Sequence, residues 1–124
     1  MNTDNQTSGL AIVNKTASYD SVKGQESVEL ALALSNFGQA VSLFFIEDGV
    51  WQLLRQQNPA QLNRKAYFKT FAALEFYDID KIYVCHDSLL SRGISEAELC
   101  IPVTLVTDEQ CQQLLSFHNQ VVVF

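Results

Sequence analysis

Three cysteines, Cys85, Cys100 and Cys111, are the residues of this chain best suited to covalent chemistry. Their number is odd, their spacing is wide and no C-x-x-C pair occurs, so neither a zinc knuckle nor a thioredoxin-type motif is supported. In a reducing compartment they are expected to be free thiols. Cys85 stands apart because of its surroundings in YVCHDSLLSRGI, where an apolar strand-like run ends on it and a short helical segment follows. A thiol beside a helix N-terminus feels the positive end of the helix dipole, which lowers its pKa, and the thiolate is the nucleophile of sulfur chemistry. His86 and Arg92 would assist that ionisation; Asp87 would oppose it, because a nearby negative charge disfavours the thiolate. The plainer reading is that Cys85 is a small apolar residue filling a strand end, and on the residues alone that reading is favoured. Cys111 shares a helical face with Leu114 and Leu115, which assigns it to packing; Cys100 has no evident partner.

Other candidates reduce to structural roles. Cys85, His86 and Asp87 do not make a metal site on spacing alone, since neighbouring strand residues point to opposite faces. Glu47 and Asp48 stand where catalytic carboxylates of a parallel sheet could stand, but with Gly49 they read as a turn and a cap for a short helix opening at Val50. His118, at a helix end, reads as a capping residue. No G-x-G-x-x-G follows the first strand, no P-loop or G-x-S-x-G elbow occurs, and Asn14-Lys15-Thr16 lacks the acidic cluster of a phosphoacceptor domain. No cofactor is implied.

The elements that must position Cys85 follow from the hydrophobic pattern. Strands are expected at Leu10–Val13, Val41–Ile46, Lys81–Cys85, Val103–Val106 and Gln120–Phe124. The almost unbroken VSLFFI run suits a strand buried on both faces. Segment 24–38 fits either period, but its length and its Ala, Leu and Glu content favour a helix, with Gly38 as its left-handed stop. Further helices are expected over Val50–Arg55, Arg64–Tyr77, Ser88–Ser91 and Asp108–His118. The last of these is capped by Thr107, with Gln110 completing a capping box. Strands and helices alternate, which predicts a three-layer α/β/α sandwich around a five-stranded, mostly parallel sheet.

A length of 124 residues, with 48% hydrophobic and 18% charged residues, describes one ordinary globular domain, residues 9–124, behind a polar tail, residues 1–8. No apolar run approaches a membrane span and no secretory signal is visible, so a cytoplasmic location is the default expectation. The formal net charge of −6 argues against direct binding of nucleic acid, which calls for a basic face.

Two stretches resemble the TusC/DsrF family: FFIEDGVWQLL at Phe44–Leu54, and FKTFAALEFYDIDKIYVCHDSLLSRGI at Phe68–Ile94, with weaker similarity reaching the closing QVVVF. The resemblance implies a DsrE/DsrF-like fold. It also implies a place in a sulfur relay, in which persulfide sulfur passes toward 2-thiolation of the tRNA wobble uridine. The implied partners are TusB-like and TusD-like subunits in a heterohexamer, with an indirect link to a TusE-like carrier and tRNA. In the paralogous D-type subunit the sulfur-carrying cysteine stands eight residues before the glycine of a C…R-G frame, and Cys85 and Gly93 have that separation. Small residues follow the D-type cysteine, whereas His86 and Asp87 follow this one. Cys85 is therefore the candidate persulfide carrier, yet the resemblance gives the essential relay cysteine to the D subunit. An auxiliary subunit, a sulfurtransferase using Cys85, and a DsrF-type subunit of dissimilatory sulfur oxidation all stay open. Trp51, Phe76 and Tyr77 are the aromatic candidates for an interface.

The charge leads to a direct expectation. The isolated chain binds tRNA with no measurable affinity at physiological salt, because it lacks the counterion-release contribution that drives such binding. Filter binding tests this; micromolar binding that weakens steeply with salt would reveal a basic face.

Overall fold

The computed structural model of the chain describes residues 9–16, 23–36, 38, 40–53, 79, 81–99 and 101–124. Five strands form one sheet: β1 (Leu10–Asn14), β2 (Val41–Phe45), β3 (Ile82–Cys85), β4 (Thr104–Val106) and β5 (Gln120–Val123). Their order is β4-β3-β2-β1-β5 and every pairing is parallel, so the expected mostly parallel sheet is wholly parallel among the described strands. Three α-helices are described: α1 (Lys23–Asn36), α2 (His86–Ser91) and α3 (Asp108–Ser116). A 3-10 turn, Glu47–Leu53, replaces the helix expected over Val50–Arg55, and a second 3-10 turn at Glu96–Glu98 has no counterpart in the sequence reading. The helix expected over Arg64–Tyr77, the interface candidates Phe76 and Tyr77, and Cys100 lie outside the described residues.

The strand order dictates the layers. From β1 to β4 each connection steps one strand toward the same edge, whereas β4 to β5 returns across the whole sheet. Right-handed crossovers therefore place α1 and α2 on one face and α3 on the other. The buried residues divide accordingly. Leu10, Ile12, Val41, Leu43, Phe45, Ile82 and Val84 meet Val28 and Ala31 of α1 and Leu89 of α2 on the first face. Ala11, Val13, Phe44, Val106 and Cys111 form a smaller cluster on the second, with Tyr83, Leu114 and Leu115 at its margin. Every residue of β1 and β2 is buried, as a central parallel strand requires.

Local signals read as expected at several termini. Gly38 has φ +80° and donates its N–H to Ser35, ending α1. Gly93 has φ +68° and ends α2. Thr107 Oγ1 accepts from the Gln110 N–H at 3.1 Å, while the Gln110 side chain accepts from the Thr107 N–H at 2.9 Å. At the exit of β2 the backbone is under a stronger constraint. Ile46 N–H donates to the Asn14 carbonyl at 3.0 Å, and Gly49 then rests directly on that carbonyl. A Cβ at Gly49 would lie inside the van der Waals envelope of the Asn14 oxygen, so the turn can form only with glycine there.

The two glycines predict an ordered pair of losses. Gly38→Ala meets empty space and carries only the left-handed penalty of about 1–2 kcal/mol. Gly49→Ala drives a methyl into buried backbone that no rotamer can relieve, and costs about 3 kcal/mol or more. Urea denaturation of both variants checks the order; equal losses would show that the β2 exit relaxes.

Candidate functional site

The carboxyl ends of β2, β3 and β4 carry the residues that matter. The 3-10 turn at Glu47–Leu53 crosses from β2 back over the end of β1 and carries Asp48 toward α2. Arg92, just past α2, donates from Nε to Asp48 Oδ1 at 3.0 Å, its Nη2 forms an ion pair with the same oxygen at 3.0 Å, and its Nη1 donates to the Ser88 carbonyl at 3.2 Å. Ser88 Oγ accepts the Glu47 N–H at 2.8 Å. Glu47 has φ +50°, a conformation uncommon for a residue with a side chain, and that hydrogen bond helps to hold it. The expected turn at Glu47-Asp48-Gly49 is thus present. Its carboxylates serve structure: Asp48 pairs with Arg92, and exposed Glu47 stands 3.9 Å from Lys15. Arg92, anticipated as an aid to the Cys85 thiolate, is directed to Asp48 and Ser88 instead.

Cys85 is the last residue of β3 and the N-cap of α2, which begins at His86, two residues earlier than expected. The β3 alternation turns Ile82 and Val84 toward the first face and Cys85 toward α3 on the second. Cys85 is in register with Val106, so the helix that opens two residues after Val106 begins beside the thiol. There the Cys85 thiol donates to Asp108 Oδ1 at 2.8 Å. Asp87 Oδ2 accepts from the Asp108 N–H at 3.4 Å.

These contacts outweigh the modest lowering of the thiol pKa expected from the helix dipole. Burial pushes the Cys85 thiol up, its hydrogen bond to Asp108 pushes it further, and the Asp108 charge adds to both. Ser88, through its hydroxyl and its backbone N–H, pulls the other way and does not prevail. Physically, α2 is a six-residue helix with Asp87 in its first turn, so its dipole is weak where a full carboxylate sits in contact. Cys111 is packed as expected, and burial pushes its thiol up to about 11, with Cys85 and Asp108 contributing. His86 is exposed and takes no part in this cluster.

Ligand atoms of Cys85, Asp87 and Asp108 lie within 4.8 Å of one another, a spacing that could hold an ion. His86, named beside them in the sequence, is replaced here by Asp108. The thiol keeps its proton and donates it in a hydrogen bond to Asp108, which makes the pair a latch between β3 and α3. Asp108 was missed because its relevance depends on the β3–β4 pairing, which only the strand order reveals. Ser88 was likewise passed over as a polar helix residue. His118 caps α3 as expected: Nδ1 donates to the Leu114 carbonyl at 2.8 Å, Nε2 meets Ser42 Oγ at 3.0 Å, and the ring stands edge-on to Phe44. Trp51, an interface candidate, is half-buried against the first core.

The cluster predicts slow thiol chemistry. At neutral pH Cys85 and Cys111 alkylate more slowly than an exposed thiol, and the Cys85 rate keeps rising past the ordinary thiol range. Because the folded state holds both protons more tightly than the unfolded chain does, stability is kept below the ordinary thiol pKa. It falls as pH climbs from there toward 11. Asp108→Asn removes the opposing charge and speeds Cys85 labelling. Iodoacetamide kinetics read by peptide mass test this; a Cys85 rate that levels off below pH 8 would contradict it.

Comparison with known proteins agrees with this architecture. Residues 8–124 match the DsrE/DsrF-like family. Protein TusC homolog of Aliivibrio fischeri is 36% identical over 115 residues, covering 93% of this chain and 98% of that protein. Protein TusC homolog of Vibrio vulnificus is 38% identical over 117 residues, covering 94% and 99%. The crystal structure of the ychN protein from E. coli superposes with a TM-score of 0.80 at 25% identity, covering 95% of this chain and all of that one. With a family match over nearly its whole length and full-length relatives above 30% identity, this chain belongs to the DsrE/DsrF-like family.

Proposed function

We propose that this chain is the C-type subunit of a Tus-like sulfur-relay complex, auxiliary to the subunit that carries the sulfur. The observation that carries the reading is its end-to-end similarity to two proteins named TusC homolog. The site geometry supports the auxiliary role. A relay cysteine must present a thiolate to an incoming persulfide, and Cys85 is buried, protonated and bonded to a carboxylate. TusB-like and TusD-like subunits are the proposed partners, in a heterohexamer. A TusE-like carrier and tRNA are reached through them, in the cytoplasm. No helix among the described residues is long and apolar enough to cross a membrane.

A second reading rests on position. Cys85 stands at the end of β3, before a helix and eight residues ahead of Gly93, where the D-type subunit keeps its relay cysteine. As a carrier its thiolate would attack the outer sulfur of a donor persulfide, giving Cys85 persulfide and the donor thiol. Ionising Cys85 would first require its release from Asp108.

Co-purification from the native host with intact mass of each subunit tests both readings. The auxiliary reading expects B-type and D-type partners in the complex and no added sulfur on this chain. Cys85→Ser keeps a donor toward Asp108, so the complex assembles and tRNA thiolation falls less than it does on loss of the D-type cysteine. Thiolation abolished by Cys85→Ser in an intact complex would install the second reading instead.

A further inference from the structure

The second face of the sheet is covered, among the described helices, by the nine-residue α3 alone. That helix packs with residues of β1, β2, β3 and β4. Val121 and Val123, whose side chains point to this face by alternation with Ala11 and Val13, are 46% and 56% exposed. Phe117, the C-cap of α3 and three residues before β5, is 49% exposed. The outer edge of β5 is also open. Phe124 donates its N–H to Val13 and accepts from Lys15, so both its backbone groups face β1. In a parallel ladder such residues alternate, hence Val122 also faces β1, while Val121 and Val123 turn N–H and C=O outward.

Natural edge strands are usually protected by a charge, a proline or a bulge. Residues 110–124, QCQQLLSFHNQVVVF, contain no Asp, Glu, Lys, Arg or Pro, in a chain with a net charge of −6. An uncharged, aromatic-bearing patch on an acidic protein has the character of an interface core. We propose that β5 pairs with β5 of a second copy of this chain, antiparallel about a two-fold axis at Val122. This contact stands on the edge strand alone and is independent of the sulfur-relay reading.

Two features select a second copy as the occupant. The first is electrostatic: two acidic chains repel, and on this face they can meet without setting side-chain carboxylates against one another. The second is that the open edge is its own complement. A two-fold axis at Val122 sets Val121 of one copy against Val123 of the other, so their outward groups exchange hydrogen bonds in both directions. The exposed valines and Phe117 of both copies then cover one another beside α3. Val122 meets its own copy on the axis as a non-hydrogen-bonded pair, with Cα atoms about 4.5 Å apart.

Sedimentation and light scattering of the purified full chain, over a wide concentration range, test the proposal. The wild type is expected to be a dimer. The Val121→Lys/Val123→Lys variant places charges at exposed positions, keeps the wild-type circular dichroism, and weakens dimerisation at least about thirtyfold. Leu90→Lys, at another exposed apolar site, leaves the dimer intact. Val122→Cys forms a disulfide-linked dimer on mild oxidation. A monomer at every concentration, a dimer indifferent to the two lysines, or a dimer broken by Leu90→Lys overturns the assignment. So does association only with a protein of different sequence, or a monomer whose Val121 and Val123 amides resist hydrogen exchange because another part of the chain covers them.

Discussion

The fit of Gly49 onto the Asn14 carbonyl is the constraint that organises the carboxyl end of this sheet. Chain leaving a central parallel strand must cross the ends of its neighbours, and those ends carry polar backbone that has to be satisfied. Here the Ile46 N–H takes the Asn14 oxygen, and the missing side chain at Gly49 lets the next turn lie flat upon it. The turn then delivers Asp48 to Arg92 and the Glu47 N–H to Ser88, tying α2 to the exit of β2. Because α2 opens directly from Cys85, the same chain of contacts sets where the thiol stands.

That chain of contacts changes what the family resemblance means. Asp48, Gly49, Arg92 and Gly93 belong to the two stretches that carry the resemblance, and each has a mechanical task. Gly49 admits the close approach, Asp48 and Arg92 pair across two elements, and Gly93 ends α2 at a positive φ. The frame can be kept by proteins whose chemistry differs, because none of these tasks involves a reacting group. What Cys85 does is decided by its neighbour across the sheet, Asp108, which belongs to neither stretch of the resemblance.

Features governed by local geometry were legible in the sequence. Thr107 with Gln110 announced a capping box, Gly38 a helix stop and VSLFFI a strand buried on both sides, and all three are present. Features governed by contacts between distant segments were not. The thiol of Cys85 was read against the helix that follows it, which is local, when the deciding contact spans 23 residues to Asp108. The start of the 3-10 turn at Glu47, three residues before the expected helix, follows from backbone packing on β1. The positive φ of Glu47 carries no glycine to signal it, whereas the 3-10 turn at Glu96–Glu98 did have a local signal, Ser95 with Glu98 as a capping box.

The Cys85–Asp108 contact also joins the site to the asymmetry of the sheet. The return from β4 to β5 puts α3 on a face where it is the one helix among the described residues, and attachments at its two ends add to its packing through Cys111, Leu114 and Leu115. His118 ties its C-terminal end to Ser42 and stands edge-on to Phe44, and Asp108 ties its N-terminal end to Cys85. The proton on Cys85 is thus part of how α3 is held. Ionising the thiol would remove the donor and set two negative charges in contact at a partly dehydrated site, where their repulsion is larger than in water. A group cannot both hold α3 in this way and stand ready as a thiolate. The neutral thiol favours packing, and sulfur transfer through Cys85 would require α3 to loosen first.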